Sequence, residues 1–257
     1  MADLTPEQIA IRRVRCTAST LPAFLGYSPY ESPLTAWERH LGIGGLPSNE
    51  NMDAGHDFEA AIIRRASSMI DKYRQSMGAM TIISPSHDWL CATPDAIIPE
   101  LTTGIQAKNH GAQMTRAYVA KPGEAGEWDN ELVPKMYLLQ CQIEMFVAAD
   151  FYGWDVLFWY LAAHFGGAQT RVYKIRRDER LQAALLKAGY AFWKLHIDPA
   201  GKRVPPGSVQ WIVGPEPRQS KHPRLNRTAL LHAPLPEVGE KPASELMDFD
   251  DPFGEST

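Results

Sequence analysis

The spacing of apolar positions changes along the chain, and each change predicts an element. From Ser48 or Asn49 to about Ile70 the apolar residues recur at helical spacing, with Phe58, Ile62 and Ile63 forming a stripe and Glu59 beside it. Pro134 opens a second helix on which Tyr137, Gln140 and Glu144 share one face, in the order Tyr-x-x-Gln-x-Gln through Gln142. Asp178 starts a third, reaching about His196, with Leu181, Leu185, Leu186 and Tyr190 turned inward. Shorter helices are expected after Thr5-Pro6-Glu7, over Leu21 to Leu25, and from Ser32-Pro33 to Leu41.

Elsewhere the period shortens or the apolar run is continuous and β-prone. Met80 to Ser84, Leu90 to Ile98, Gly104 to Asn109, Phe151 to Leu161 and Thr170 to Ile175 read as strands bounded by Gly, Pro and Thr. A mixed central sheet with helices before and after it is an α/β layer architecture. Residues 111–130 are polar and Gly-rich and are expected to form a mobile connection. After Asp198 eight prolines from Pro205 to Pro242 interrupt regular structure. The chain therefore divides into a domain over 1–200 and a Pro-rich extension over 201–257 that ends in an acidic, flexible tail.

A chain of 257 residues with 44% hydrophobic and 22% charged residues supports one full-sized core. Without an apolar run of spanning length, or the basic and apolar regions of a signal peptide, the expected setting is cytoplasmic, with no membrane contact. Cys16, Cys91 and Cys141 are odd in number and far apart, which excludes a disulfide framework or a four-Cys metal site within the chain. The formal charge of -4 is concentrated at the end: seven acids and one base lie in 233–257, which leaves the preceding body at +2. Such a body binds a polyanion if its bases line one groove.

The chemistry centres on Cys91 to His110. If Leu90–Ile98 and Gly104–Asn109 pair as a hairpin, Asp95 approaches Gln106 and Lys108, and alternation puts the latter two on one face and Ala107 on the other. A carboxylate, an amide oxygen and an ammonium then converge, as phosphodiester cleavage with a divalent cation requires. Taken alone, the same stretch also fits an ordinary surface hairpin. Arg12, Arg13 and Arg15 ahead of Thr17-Ala18-Ser19 form a candidate phosphate site or a solvated basic face. Glu59 beside its stripe either points into a site or is a solvated helix charge.

Four segments in one order, Arg12 to Ser19, Gly55 to Glu59, Ala92-Thr-Pro-Asp95 through Gln106-Ala-Lys108, and Tyr137 to Gln142, resemble the lambda exonuclease family of phage recombination nucleases in the PD-(D/E)xK superfamily. The resemblance implies a restriction-endonuclease-like core. It implies Mg²⁺, replaceable by Mn²⁺, held by Glu59, Asp95, Gln106 and the Ala107 carbonyl, with Lys108 as the catalytic amine. Arg12 and Ser19 match residues that hold the terminal phosphate of DNA, and Tyr137 and Gln140 lie on the substrate side or support the site. Gln106 stands where the family carries an acid, so its neutral oxygen attracts a cation less strongly.

The implied activity is 5′ to 3′ degradation of linear duplex DNA to 5′-mononucleotides, leaving 3′ single strands for a single-strand annealing protein. The implied assembly is a homotrimer around DNA ends in the cytoplasm of a bacterial host. Met247 to Phe253 is similar to the acidic tip of bacterial single-stranded-DNA-binding proteins and is a candidate docking segment for a host protein, or a solubilising tail. A catalytically weakened end-binding protein and an endonuclease of the same superfamily are the alternatives.

Overall fold

In the computed structural model the described residues are 4–44, 50–70, 77–78, 80–124, 126–166, 169–201 and 203–206. The Pro-rich extension beyond Pro206, with its acidic segment Met247–Phe253, lies outside them. The elements run α1 (Pro6–Arg13), β1 (Cys16–Thr17), α2 (Leu21–Phe24), α3 (Pro33–Leu41), α4 (Glu50–Ile70), β2 (Met77–Gly78), β3 (Ile82–Ile83), β4 (Leu90–Ala92), β5 (Ala96–Ile98), β6 (Thr103–His110), α5 (Lys135–Tyr152), β7 (Phe158–Phe165), β8 (Gln169–Arg176) and α6 (Glu179–His196).

Two sheets share the work. A three-stranded sheet has the order β1-β4-β3, and a five-stranded mixed sheet has the order β2-β5-β6-β7-β8. Strands β6 and β7 are parallel, from Ile105 opposite Tyr160 to His110 opposite Phe165, and α5 makes the crossover between them. The other neighbours in the larger sheet are antiparallel. α4 covers one face through Ile62 and Ala66 against Ile105, Ala107 and Ala162. The main core fills the other face, between the sheet and helices α5 and α6. This is the α/β sandwich expected of the PD-(D/E)xK core.

Helix α5 has no solvent face over most of its length: every residue from Tyr137 to Met145 is buried. A helix buried all round is held by its neighbours, and each polar side chain on it must find a partner inside the protein. Gln142 does so structurally, donating to Arg176 O at 2.7 Å and accepting from Asp178 N at 2.9 Å, which ties the end of β8 to the start of α6. Close packing also explains a glycine beside the site. A Cβ on Gly104 would lie 2.1 Å from the Trp159 indole, so only hydrogen fits there.

Several expectations are corrected. Leu90–Ile98 is two strands rather than one, because Thr93-Pro94-Asp95 breaks the ladder and moves the chain from the smaller sheet to the larger. Phe151 and Tyr152 close α5, Gly153 caps it in the left-handed region at φ 67°, and the strand starts only at Phe158. Phe58 is 49% exposed while Glu59 is 8% exposed, so the acid and not the ring holds the inward position ahead of Ile62 and Ala66. Tyr190 is 37% exposed, its ring lying along Trp193 at the surface. The 111–130 connection is anchored where it is described: a 3-10 helix spans Ala112–Ala117, and Tyr118 is buried against Tyr173. Among the described residues, no helix is long and apolar enough to cross a membrane.

Candidate metal and DNA-end site

The break at Pro94 gives Asp95 its position. Pairing of β5 with β6 ends at Ala96 opposite Ile105, so the edge of β6 beyond that point has lost its neighbouring strand. Asp95 fills the gap, its Oδ2 accepting the Ala107 N–H at 2.7 Å and the Gln106 side-chain amide. The N–H and C=O of one strand residue point to the same side, so the Ala107 carbonyl opens toward Asp95 as well. Gln140, from α5, donates through one amino group to Gln106 Oε1 at 2.6 Å and to Glu144 Oε1 at 2.8 Å. Asp95, Gln106, Gln140 and Glu144 form a continuous buried chain of polar groups.

Lys108 lies on the Gln106 face of β6, with its ammonium 5.4 Å from the centre of the buried Tyr137 ring. Burial pushes the Asp95 carboxyl up to about 7; Lys108 opposes this and Glu59 reinforces it. Burial pushes Glu144 up to about 8, with Asp95 adding to the effect and the Gln140 hydrogen bond opposing it. Glu59 is raised too, mainly by burial, against the pull of Lys108. Asp95 thus feels the charge of Glu59 and acts on Glu144, and the Lys108 ammonium opposes the rise of all three.

This donor set fits a hard divalent cation. Carboxylate oxygens from Glu59 and Asp95 and the Ala107 carbonyl are the ligand types such an ion takes, and a bound cation would favour the ionised form of carboxyls that burial holds above their ordinary range. Among the described residues no group of three or more His, Cys, Asp or Glu side chains is placed to hold a metal ion.

A second group lies on the other side of Pro94. Arg12, at the end of α1, donates to Thr93 Oγ1 at 2.8 Å and to Ser19 Oγ at 3.3 Å. Ser19 also meets the Thr17 hydroxyl at 3.0 Å, and Thr93 meets the Thr81 hydroxyl at 2.8 Å. The neighbouring arginines are engaged elsewhere. Arg15 donates to Asp88 O and Ile11 O, and Arg13 lies against Gly42. Thr93 and Thr81 were not among the candidate residues. Thr93 was legible only as the residue before Pro94, and Thr81 carried no signal.

Sequence comparison with curated proteins gives no match. The structure is similar to that of an alkaline exonuclease (LHK-Exo) from Laribacter hongkongensis, at 18% identity and a TM-score of 0.52, over 73% of this chain and 90% of that chain. It is similar to LHK-Exo in complex with dAMP at 19% identity and a TM-score of 0.51, over the same shares. A putative exonuclease from Eubacterium rectale aligns at 12% identity and a TM-score of 0.50, over 73% of this chain and 82% of that one. At such identities these likenesses show the fold. The family assignment comes from the sequence: residues 8–150, more than half of the chain, match the YqaJ-like viral recombinase domain, and the protein belongs to that lambda-exonuclease-like family.

Proposed function

We propose that this protein is a metal-dependent exonuclease that resects linear duplex DNA from its 5′ ends, releasing 5′-mononucleotides and leaving 3′ single strands for annealing. The observation that carries this reading is the buried oxygen set around Asp95 facing Lys108, separated by Pro94 alone from an arginine held among hydroxyls. Membership of a viral recombinase family and likeness to structures described as exonucleases support it.

Asp95, Glu59, the Ala107 carbonyl and Gln106 would hold Mg²⁺ or Mn²⁺. When bound, such a cation polarises a phosphate and lowers the pKa of its water. Lys108 offsets the charge that develops on the phosphate, and the Tyr137 ring beneath it limits where the ammonium can sit. Arg12 and Ser19 bind the 5′-phosphate of the end, while Gln140 holds Gln106 in place. The reading extends, through the family resemblance, to a homotrimer around DNA in a bacterial host's cytoplasm and to a single-strand annealing protein as partner. The segment Met247–Phe253 is a candidate contact for a host protein.

One digestion tests this reading. Linear duplex with 5′-phosphate or 5′-hydroxyl ends and closed circular duplex are incubated with and without Mg²⁺. Loss of the linear forms alone, only with Mg²⁺ and faster from the phosphate, is expected. Cutting of circles would make the protein an endonuclease, and survival of all substrates would refute the nuclease. A second reading, end binding with weakened turnover, is favoured by one contact: Gln106 gives Asp95 its amide N–H and not its oxygen. On that reading Q106E raises cleavage about tenfold or more, the range seen for changes next to a metal site.

A further inference from the structure

The polar chain leading inward from Asp95 ends on a carboxylate that the ligand set does not use. Glu144 is 1% exposed, and its Oε1 accepts from Gln140, whose amino group also donates to Gln106 Oε1. Gln106 is left with its own amino group, which donates to Asp95 and, at 3.3 Å, to the Ala107 carbonyl.

An amide has one donor end and one acceptor end, so direction propagates along such a chain. An ionised Glu144 only accepts, which holds the Gln140 amino group between Glu144 and Gln106. That amino group takes the Gln106 oxygen. Turning Gln106 round would set two amino groups against each other unless Gln140 turned as well. A turned Gln140 would bring its oxygen against Glu144, and two acceptors repel unless Glu144 supplies a proton.

We propose that Glu144 is a positioning residue that sets, through Gln140, which end of the Gln106 amide meets Asp95. It thereby decides whether Gln106 serves as a hydrogen-bond donor to Asp95 or as a neutral oxygen ligand for a divalent cation. The identity of that ligand rests on the nuclease reading; the chain of hydrogen bonds does not. Both states of Glu144 lie within reach, because burial pushes its carboxyl up to about 8. The charged or titratable groups acting on it are Asp95 and Lys108, with Cys141 and Arg12 also within range of its charge.

The test is a double-mutant cycle on the full chain, reading Mg²⁺ affinity by calorimetry at pH 9, where Glu144 is ionised. In E144Q the new amide can donate to Gln140 and release the Gln106 oxygen toward the cation. In Q106E both ends of the side chain are oxygens, so its direction has no meaning and E144Q acts only through lost charge. E144Q is therefore expected to change Mg²⁺ affinity about tenfold more favourably in the wild-type than in the Q106E background. A difference below about twofold overturns the proposal.

Thermal melts check that each variant folds. If E144Q does not, Q140L takes its place in the same cycle at pH 9, because it cuts the chain between Glu144 and Gln106. Q140L should change Mg²⁺ affinity about tenfold in the wild-type background and less than about twofold in Q106E, and equal changes in both overturn the proposal. Digestion of linear duplex in parallel separates the two readings. Coupling without digestion refutes the nuclease and keeps the relay, digestion without coupling refutes the relay alone, and an absence of Asp95-dependent Mg²⁺ binding refutes both.

Discussion

The two sides of Pro94 have opposite electrostatics. On the Asp95 side, Asp95, Glu59 and Glu144 are each buried, and burial holds each above its ordinary range. On the Thr93 side a guanidinium is ringed by the hydroxyls of Thr93 and Ser19, and burial lowers its pKa. The first side gathers acids within range of the Lys108 ammonium, and the second sets a guanidinium among neutral hydroxyls. A single rigid residue between them holds the two at a fixed spacing, as the proposed joint grip on a DNA end and a metal requires.

Substitutions that empty one side while leaving the other intact test this contrast. Asp95→Ala is expected to have the largest effect, lowering nucleotide release at least about a thousandfold and removing Mg²⁺ binding by calorimetry, with DNA-end binding in EDTA retained. Loss of end binding as well would mean that the two sides are not separable. Lys108→Ala should follow, with a fall in kcat of about a hundredfold or more and little change in affinity for duplex ends measured by fluorescence anisotropy. Arg12→Ala should act on the other side alone. The preference for 5′-phosphate over 5′-hydroxyl ends should drop about tenfold with Mg²⁺ affinity unchanged, and Arg12→Lys should recover little of it, since a lysine cannot span Thr93 and Ser19.

The smallest effect is one of pH. Asp95 titrates near 7 in the folded chain against an ordinary value of 3.8, so the folded state binds the extra proton between those limits. Without metal, stability is therefore greatest below about pH 4 as far as this group is concerned, and declines as pH rises toward 7; Glu144 extends the decline to about 8. Melting temperature in EDTA should fall by several degrees from pH 5 to pH 8.5. Mg²⁺ should restore more of it at the upper end, because the cation binds the deprotonated form. Asp95→Asn should flatten the slope, and a wild-type slope of the opposite sign would contradict the burial of this carboxylate.

Much of the Asp95 side was legible in the sequence, because its residues lie close together in the chain. Alternation along one strand separates Ala107 from Gln106 and Lys108, and an eleven-residue spacing across a turn brings Asp95 to Gln106. The Arg12 side was less legible. Three arginines within four positions offered the same charge, and only the fold sent Arg15 to backbone carbonyls and Arg13 to Gly42 while leaving Arg12 facing Thr93 and Ser19. Glu59 shows how a period can mislead: the stripe suggested Phe58 as the inward residue, and the acid took that position because inward at that level is a polar site and not the core.

The sequence by itself determined the helices, most of the strands, and the order of the motifs that mark the family, since these depend on neighbours a few residues apart and on local capping and turn chemistry. Only the tertiary structure decided that Leu90–Ile98 is divided between two sheets and that α5 is buried on every side from Tyr137 to Met145. It alone decided that Glu144 closes a chain of amides ending on Asp95. Those outcomes depend on which surfaces meet across long stretches of chain and on where buried polar groups must then find partners, information that no short window of residues carries.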